Sequence, residues 1–147
     1  MIRVCTEADR PVLEQYLKDE PYGKLIADAV AAFGVDAPFQ IVYIDETPGG
    51  EDADKKISGV YLWLHGTLLL YCKENLVGID FLEEMMGIEA PQKVAGRKDN
   101  VNIVSWLLTD YAMETGKTFP ELTDKEGNPV EGLEKAEHEG EWAVLTR

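Results

Sequence analysis

The sequence is poor in the residues that usually carry metal or nucleophilic chemistry. Its 147 residues include two histidines and two cysteines, and Ser58 and Ser105 are its only serines. A His-rich metal site is therefore excluded, and neither serine has the G-x-S-x-G frame of a hydrolase nucleophile. The sequence also lacks a G-x-x-x-x-G-K-[ST] phosphate loop and a G-x-G-x-x-G motif after a predicted strand. We therefore predict no metal site and assign no cofactor-binding residue.

The cysteines and the apolar segments indicate an intracellular protein. Cys5 and Cys72 lie in apolar runs without a CxxC spacing, which predicts two buried thiols in a reducing compartment. The N-terminal residues become charged at once, unlike a signal peptide. The longest apolar stretch, residues 60–72, is interrupted by polar residues at 65–67 and is too short to cross a bilayer. We expect a cytoplasmic location.

Basic residues are scarce, and this limits the partners. The chain has 14 basic and 28 acidic residues, which gives a net charge of −14. Such a surface repels phosphate, so we expect neither nucleic acid nor a membrane as partner. The acidic cluster Glu51, Asp52 and Asp54 could bind a cationic amine, or it could be a solvated loop. His65 could act as a general base or merely cap a hairpin.

The hydrophobic pattern predicts one domain over residues 1–147 with the element order β-α-α-β-β-β-α-β-α-β. His65-Gly66 predicts a tight hairpin, Gly34 and Gly87 are expected to end helices, and Trp63 and Trp106 are expected in the core. Weakly structured segments are expected at about 46–56 and 123–141. The predicted helices cover about 11–17, 24–33, 80–86 and 101–112, and the predicted strands 2–5, 39–44, 57–64, 67–72, 92–95 and 142–146. This order predicts an α/β (α+β mixed sheet) class, with a central, mostly antiparallel sheet flanked by helices.

The opening of the chain resembles the GNAT family of acyl-CoA N-acyltransferases. Residues 2–5 form a predicted strand that runs into Thr6-Glu7-Ala8-Asp9, similar to the family opening I-R-x-A-T-x-x-D. The β-α-α-β-β-β order is also the family's. The likeness covers most of residues 1–115 and implies a GNAT-like fold.

A narrower resemblance is to the degenerate N-terminal half of two-domain bacterial GNAT proteins. Residues 39–43, 57–60 and 68–71 are similar to that domain's three-strand meander, and residues 94–98 are similar to its next strand and turn. The second half of those proteins carries the acetyl-CoA site. The chain ends near where that half would begin.

One departure from the family decides the expected function. GNAT enzymes hold the pyrophosphate of coenzyme A with a [RQ]-x-x-G-x-[GA] loop at a helix N-terminus. Residues 73–80 contain one glycine and lack this motif. We therefore expect a non-catalytic domain without a cofactor, facing a cationic small molecule, a second copy or a partner catalytic GNAT domain. The alternatives are a divergent acetyltransferase that uses acetyl-CoA, with Glu46 or His65 as the base, and a small-ligand-binding module.

Overall fold

The computed structural model describes residues 2–47, 56–118, 126, 128 and 137–147. Its strands are β1 (Ile2–Val4), β2 (Gln40–Thr47), β3 (Lys56–Leu64), β4 (Thr67–Tyr71), β5 (Lys93–Arg97), β6 (Ala112–Thr118) and β7 (Glu137–Thr146). Its α-helices are α1 (Arg10–Leu17), α2 (Lys24–Phe33), α3 (Ile79–Ile88) and α4 (Lys98–Ser105).

The strands form one mixed sheet in the order β1-β2-β3-β4-β5-β7-β6. Only β4 and β5 run parallel, and α3 makes the crossover between them. Every other neighbouring pair in the sheet is antiparallel. The predicted α/β class with a mostly antiparallel sheet is therefore confirmed.

Helices cover both faces of the sheet, and a hydrophobic core lies on each side. Leu13 of α1 and Ile26 of α2 are buried against one face. Leu82 of α3 and Val104 of α4 are buried against the other. Because both of its faces are covered, all five residues of β4 are buried, which explains the apolar run that follows Thr67 in this strand.

Local turn chemistry sets several element boundaries as predicted. The Thr6 N–H donates to Asp9 Oδ2 at 2.8 Å, which fixes the turn before α1. Gly34 ends α2 with φ +78°, a conformation that glycine adopts without strain. His65 and Gly66, with φ +49° and +84°, join β3 to β4. The predicted hairpin is confirmed.

The fourth predicted helix is wrong in its second half. α4 ends at Ser105, and the following residues form turns in which the N–H groups of Trp106 and Leu107 donate three residues back. Residues 112–118 form β6, because they pair with β7. The predicted end of α3 at Gly87 is also wrong, since this helix continues to Ile88.

The prediction of weak structure at about 46–56 and 123–141 is wrong at the ends that the structure describes. Glu46, Thr47 and Lys56 belong to paired strands, and residues 137–141 are part of β7. Residues 48–55, like most of 119–136, lie outside the described residues. The acidic cluster at 51–54 therefore has no described position.

The burial predicted for Cys5, Cys72 and Trp63 agrees with the structure, and that predicted for Trp106 does not. Cys5 and Cys72 are free thiols in the core, as predicted. Trp63 is partly buried against the α3 and α4 core. Trp106 is 64% exposed, so its predicted core position is wrong. The residues after α4 form turns, which leave this indole at the surface.

Candidate functional site

A fork opens in the sheet where β4 and β5 part. Their pairing runs from Thr67 with Lys93 to Leu70 with Gly96 and stops there. A Cβ atom on Gly96 would lie 2.7 Å from the Leu70 carbonyl oxygen, so this close approach requires glycine. We define the fork as the space between Cys72–Lys73 and Arg97. Ligands of α/β sheets commonly bind at the carboxyl ends of parallel strands, which makes the fork the first candidate site.

Asn100 fills the inner part of the fork. Its side chain is fully buried. Its Oδ1 accepts the Cys72 N–H at 2.9 Å, and its Nδ2 donates to the Cys72 carbonyl at 3.1 Å and to Asn75 Oδ1 at 2.8 Å. The amide thus bonds both backbone groups of Cys72, as a neighbouring strand would.

Arg97 fills the outer part of the fork. Its Nη2 donates to the carbonyl oxygens of Cys72 and Lys73, both at 2.9 Å. Its Nε and Nη2 also bond the two oxygens of Asp99, at 2.6 and 2.9 Å. The Asp99 carboxylate raises the pKa of Arg97 above its usual value. The guanidinium is therefore a fixed positive charge in a place where a ligand would otherwise sit.

Tyrosines wall the fork. The Arg97 guanidinium carbon lies 6.0 Å from the ring centre of Tyr22 and 5.6 Å from that of Tyr71. The Tyr71 hydroxyl donates to Glu20 at 2.8 Å. Tyr16 of α1 accepts the Lys73 N–H at 2.9 Å, and burial raises the pKa of Tyr16 to about 12. Both hydroxyls adjoining β4 are therefore neutral at pH 7.

The N-terminal end of α3 has the wrong chemistry for a phosphate. The Gly78 N–H, at its N-cap, already donates to the Tyr61 hydroxyl at 2.7 Å. Asp80 lies in the first turn of the helix, and Glu83 and Glu84 are exposed in the next. A helix N-terminus attracts anions through free N–H groups and its dipole, and these carboxylates oppose that attraction.

A cleft of about 870 Å³ lies beside the fork, between α1 and the ends of β2 and β3. Tyr16 belongs to both sites. The buried side chains of Ile44 and Ile57 form the apolar floor of the cleft, and half-exposed Val12 forms its apolar rim. The remaining lining residues are Asp9, Pro11, Gln15, Glu46 and Lys56.

The acidic wall of the cleft is held by one arginine. Arg3 donates to both oxygens of Asp9, at 2.7 and 2.8 Å, and to Glu46 at 2.5 Å. The guanidinium holds the pKa of Asp9 well below its usual range. Arg3 thus binds two carboxylates, and Lys56 is a second cationic side chain at the cleft.

The structure separates the two predicted base candidates. Glu46 pairs with Ile57 at one end of β2 and β3, whereas His65 lies beyond the other end of β3. Glu46 is bound to Arg3. His65 stacks on Phe39, with ring centres 4.9 Å apart. Either residue would have to act as a base by itself, because the two lie at opposite ends of β3.

Among the residues that the structure describes, no three His, Cys, Asp or Glu side chains are grouped as a metal ion would require. Within the same residues, each helix is too short or too polar to cross a bilayer. No family model, curated protein or solved structure matches the chain.

Proposed function

We propose that this chain is a non-catalytic, GNAT-like domain that does not bind coenzyme A and that faces a ligand or a partner protein. Its first six elements have the β-α-α-β-β-β order of that family. The observation that carries the proposal is the fork. Its space is taken by Asn100 and Arg97, which bond the backbone that a cofactor would have to approach.

The electrostatics of α3 supports the same proposal. A pyrophosphate needs free backbone N–H groups and positive charge. The N–H of Gly78 is bonded to Tyr61, and Asp80 stands in the first helical turn. Lys73 is the cation that directly precedes residues 74–78, which lead into α3, and its ammonium lies 3.5 Å from Glu20. Coenzyme A would therefore have to break existing interactions and meet repulsion.

The cleft beside α1 is the surface that we assign to the ligand or partner. Its floor is apolar, and its wall holds Asp9 and Glu46 with a single guanidinium between them. The apolar floor favours a small molecule with an apolar body. Asp9 and Glu46 offer carboxylate oxygens to a cationic amine, and Lys56 lines the same cleft. The same cleft would support the small-ligand-binding alternative without any relation to acyl transfer. A second copy or a partner catalytic GNAT domain is the macromolecular partner that the proposal allows.

Isothermal titration of the purified chain with acetyl-CoA and coenzyme A tests the proposal. We expect no heat of binding up to millimolar ligand, with inorganic pyrophosphate as a matched probe for the phosphate site alone. Binding of acetyl-CoA at micromolar strength, a free energy near −8 kcal/mol, would overturn the proposal and favour the divergent acetyltransferase.

The cleft is tested separately by nuclear magnetic resonance with apolar primary amines. We expect shifts in the amide signals of Val12 and Gln15, which line the cleft, and none at His65, which lies at the far end of β3. Neutral alcohols of the same carbon skeleton are the control for the role of charge. Equal shifts with amine and alcohol would contradict a cation-selective cleft.

A further inference from the structure

The surroundings of Arg97 offer hydrogen-bond acceptors to one edge of its guanidinium and aromatic rings near its central carbon. Two carbonyl oxygens and both oxygens of Asp99 accept hydrogen bonds from its Nε and Nη2 atoms. The rings of Tyr22 and Tyr71 lie within 6.0 Å of its central carbon. Hydrogen bonds at the edge of the planar ion, together with aromatic rings near it, are characteristic of arginine recognition.

The two tyrosines and Cys72 are held by contacts that do not involve Arg97. Tyr71 is bonded to Glu20. Tyr22 accepts the Glu141 N–H at 2.6 Å and packs on Trp142, with ring centres 4.8 Å apart. Cys72 is fixed by the buried amide of Asn100. The walls of the site should therefore keep their places when the arginine side chain is removed.

The site is also open to solvent. The Arg97 side chain is 21% exposed, so a small ion can reach the same position from outside. The four oxygens accept from two adjacent nitrogens of one planar ion, Nε and Nη2, an edge that an alkylguanidinium can present and an alkylammonium of equal charge cannot. An ammonium is a compact, strongly hydrated ion that cannot present the same planar set of N–H groups.

We propose that the fork is a binding site for guanidinium cations and that Arg97 is its internal ligand. We call the rings of Tyr22 and Tyr71 and the oxygens of Cys72, Lys73 and Asp99 around this guanidinium the cage. The proposal goes beyond the proposed function, because it concerns the cage itself and does not depend on coenzyme A or on the cleft. Replacing Arg97 with alanine empties the cage, and free methylguanidinium then binds in the vacated space. Since only the folded chain forms the cage, this binding raises the melting temperature.

Thermal unfolding of Arg97→Ala with methylguanidinium chloride tests the proposal, with methylammonium chloride as the matched salt. We expect the variant to melt below the parent chain. At a methylguanidinium concentration of about ten times Kd, its melting temperature should rise by about 3–6 °C. The rise is measured relative to the parent chain in the same salt, and methylammonium should produce no such rise.

Arg10→Ala is the matched control. Arg10 contacts Glu7 at 3.3 Å and Glu14 at 3.8 Å on the surface of α1, so we expect no rescue of this variant. Equal effects of the two salts on Arg97→Ala, or no effect of either, would overturn the proposal. If Arg97→Ala does not fold, its refolding yield in the two salts replaces the melting temperature as the readout. A yield that methylguanidinium fails to improve would overturn the proposal too.

Discussion

Replacing Asn100 with alanine should be among the most damaging polar substitutions in this chain. The side chain is fully buried and makes three hydrogen bonds, two to Cys72 and one to Asn75. Alanine cannot replace any of them. The Cys72 carbonyl keeps its bond from Arg97, but the Cys72 N–H loses the acceptor that Asn100 provides.

The magnitude follows from these bonds. A buried N–H without its acceptor costs about 1–3 kcal/mol, and each of the other two bonds contributes about 0.5–1.5 kcal/mol. The free energy of unfolding should therefore fall by about 2–6 kcal/mol. With an m value of about 2 kcal/mol/M in urea, the midpoint of urea unfolding should fall by about 1–3 M.

Urea unfolding followed by tryptophan fluorescence measures this difference. Asn102→Ala is the matched control, because Asn102 lies on the same helix and is exposed. Its effect should stay within about 0.5 kcal/mol. Equal midpoints for the two variants, with unchanged m values, would show that the amide in the fork does not hold the end of β4.

Three further substitutions test the fold. Gly96→Ala should lower the free energy of unfolding by about 1–3 kcal/mol in urea, because its Cβ would lie 2.7 Å from the Leu70 carbonyl. Trp142→Ala should cost about 3–5 kcal/mol in the same assay, because this side chain is 2% exposed. Asp9→Asn should cost about 1 kcal/mol at pH 7. Because Arg3 lowers the pKa of Asp9 in the folded chain, the stability of the parent chain over Asp9→Asn should shrink as the pH falls below about 4, as measured by melting curves.

Each of these substitutions has its own control. Gly116→Ala should be close to neutral, since a Cβ there meets nothing within 4 Å, and a similar loss in both variants would contradict the close approach. Trp106→Ala should cost about 0.5 kcal/mol or less because this side chain is 64% exposed. A difference in melting temperature between the parent chain and Asp9→Asn that stays constant down to pH 2.5 would refute the ion pair with Arg3.

The elements that the sequence predicts well are those specified by nearby residues. The hairpin at 65–66 depends on a turn that two adjacent residues define. Gly34 ends α2 through its own backbone conformation. The apolar spacing at 107–111 instead fits a helix and a series of turns equally well. Only the pairing of residues 112–118 with β7 decides between them, and that pairing has no local signal.

The fork could be predicted only in part. A strand, a helix and a second strand in succession indicate a parallel crossover, and this would have directed attention to the residues after β4 and β5. The partners of Arg97 come from the turn before α2, the end of β4 with the two residues after it, and the first turn of α4. No pattern along the chain brings Tyr22 to Arg97, because their proximity results from the packing of α2 on the sheet.

The place of β7 in the sheet has a consequence for the order of folding. The last strand along the chain inserts between β5 and β6. During synthesis, β1 to β5 can pair in succession, whereas β6 has no strand neighbour among the described residues until β7 arrives. Until then β5 presents an open edge, which can recruit another chain. We therefore expect nascent chains that stop before residue 137 to need protection from aggregation, and completion of β7 to end that need.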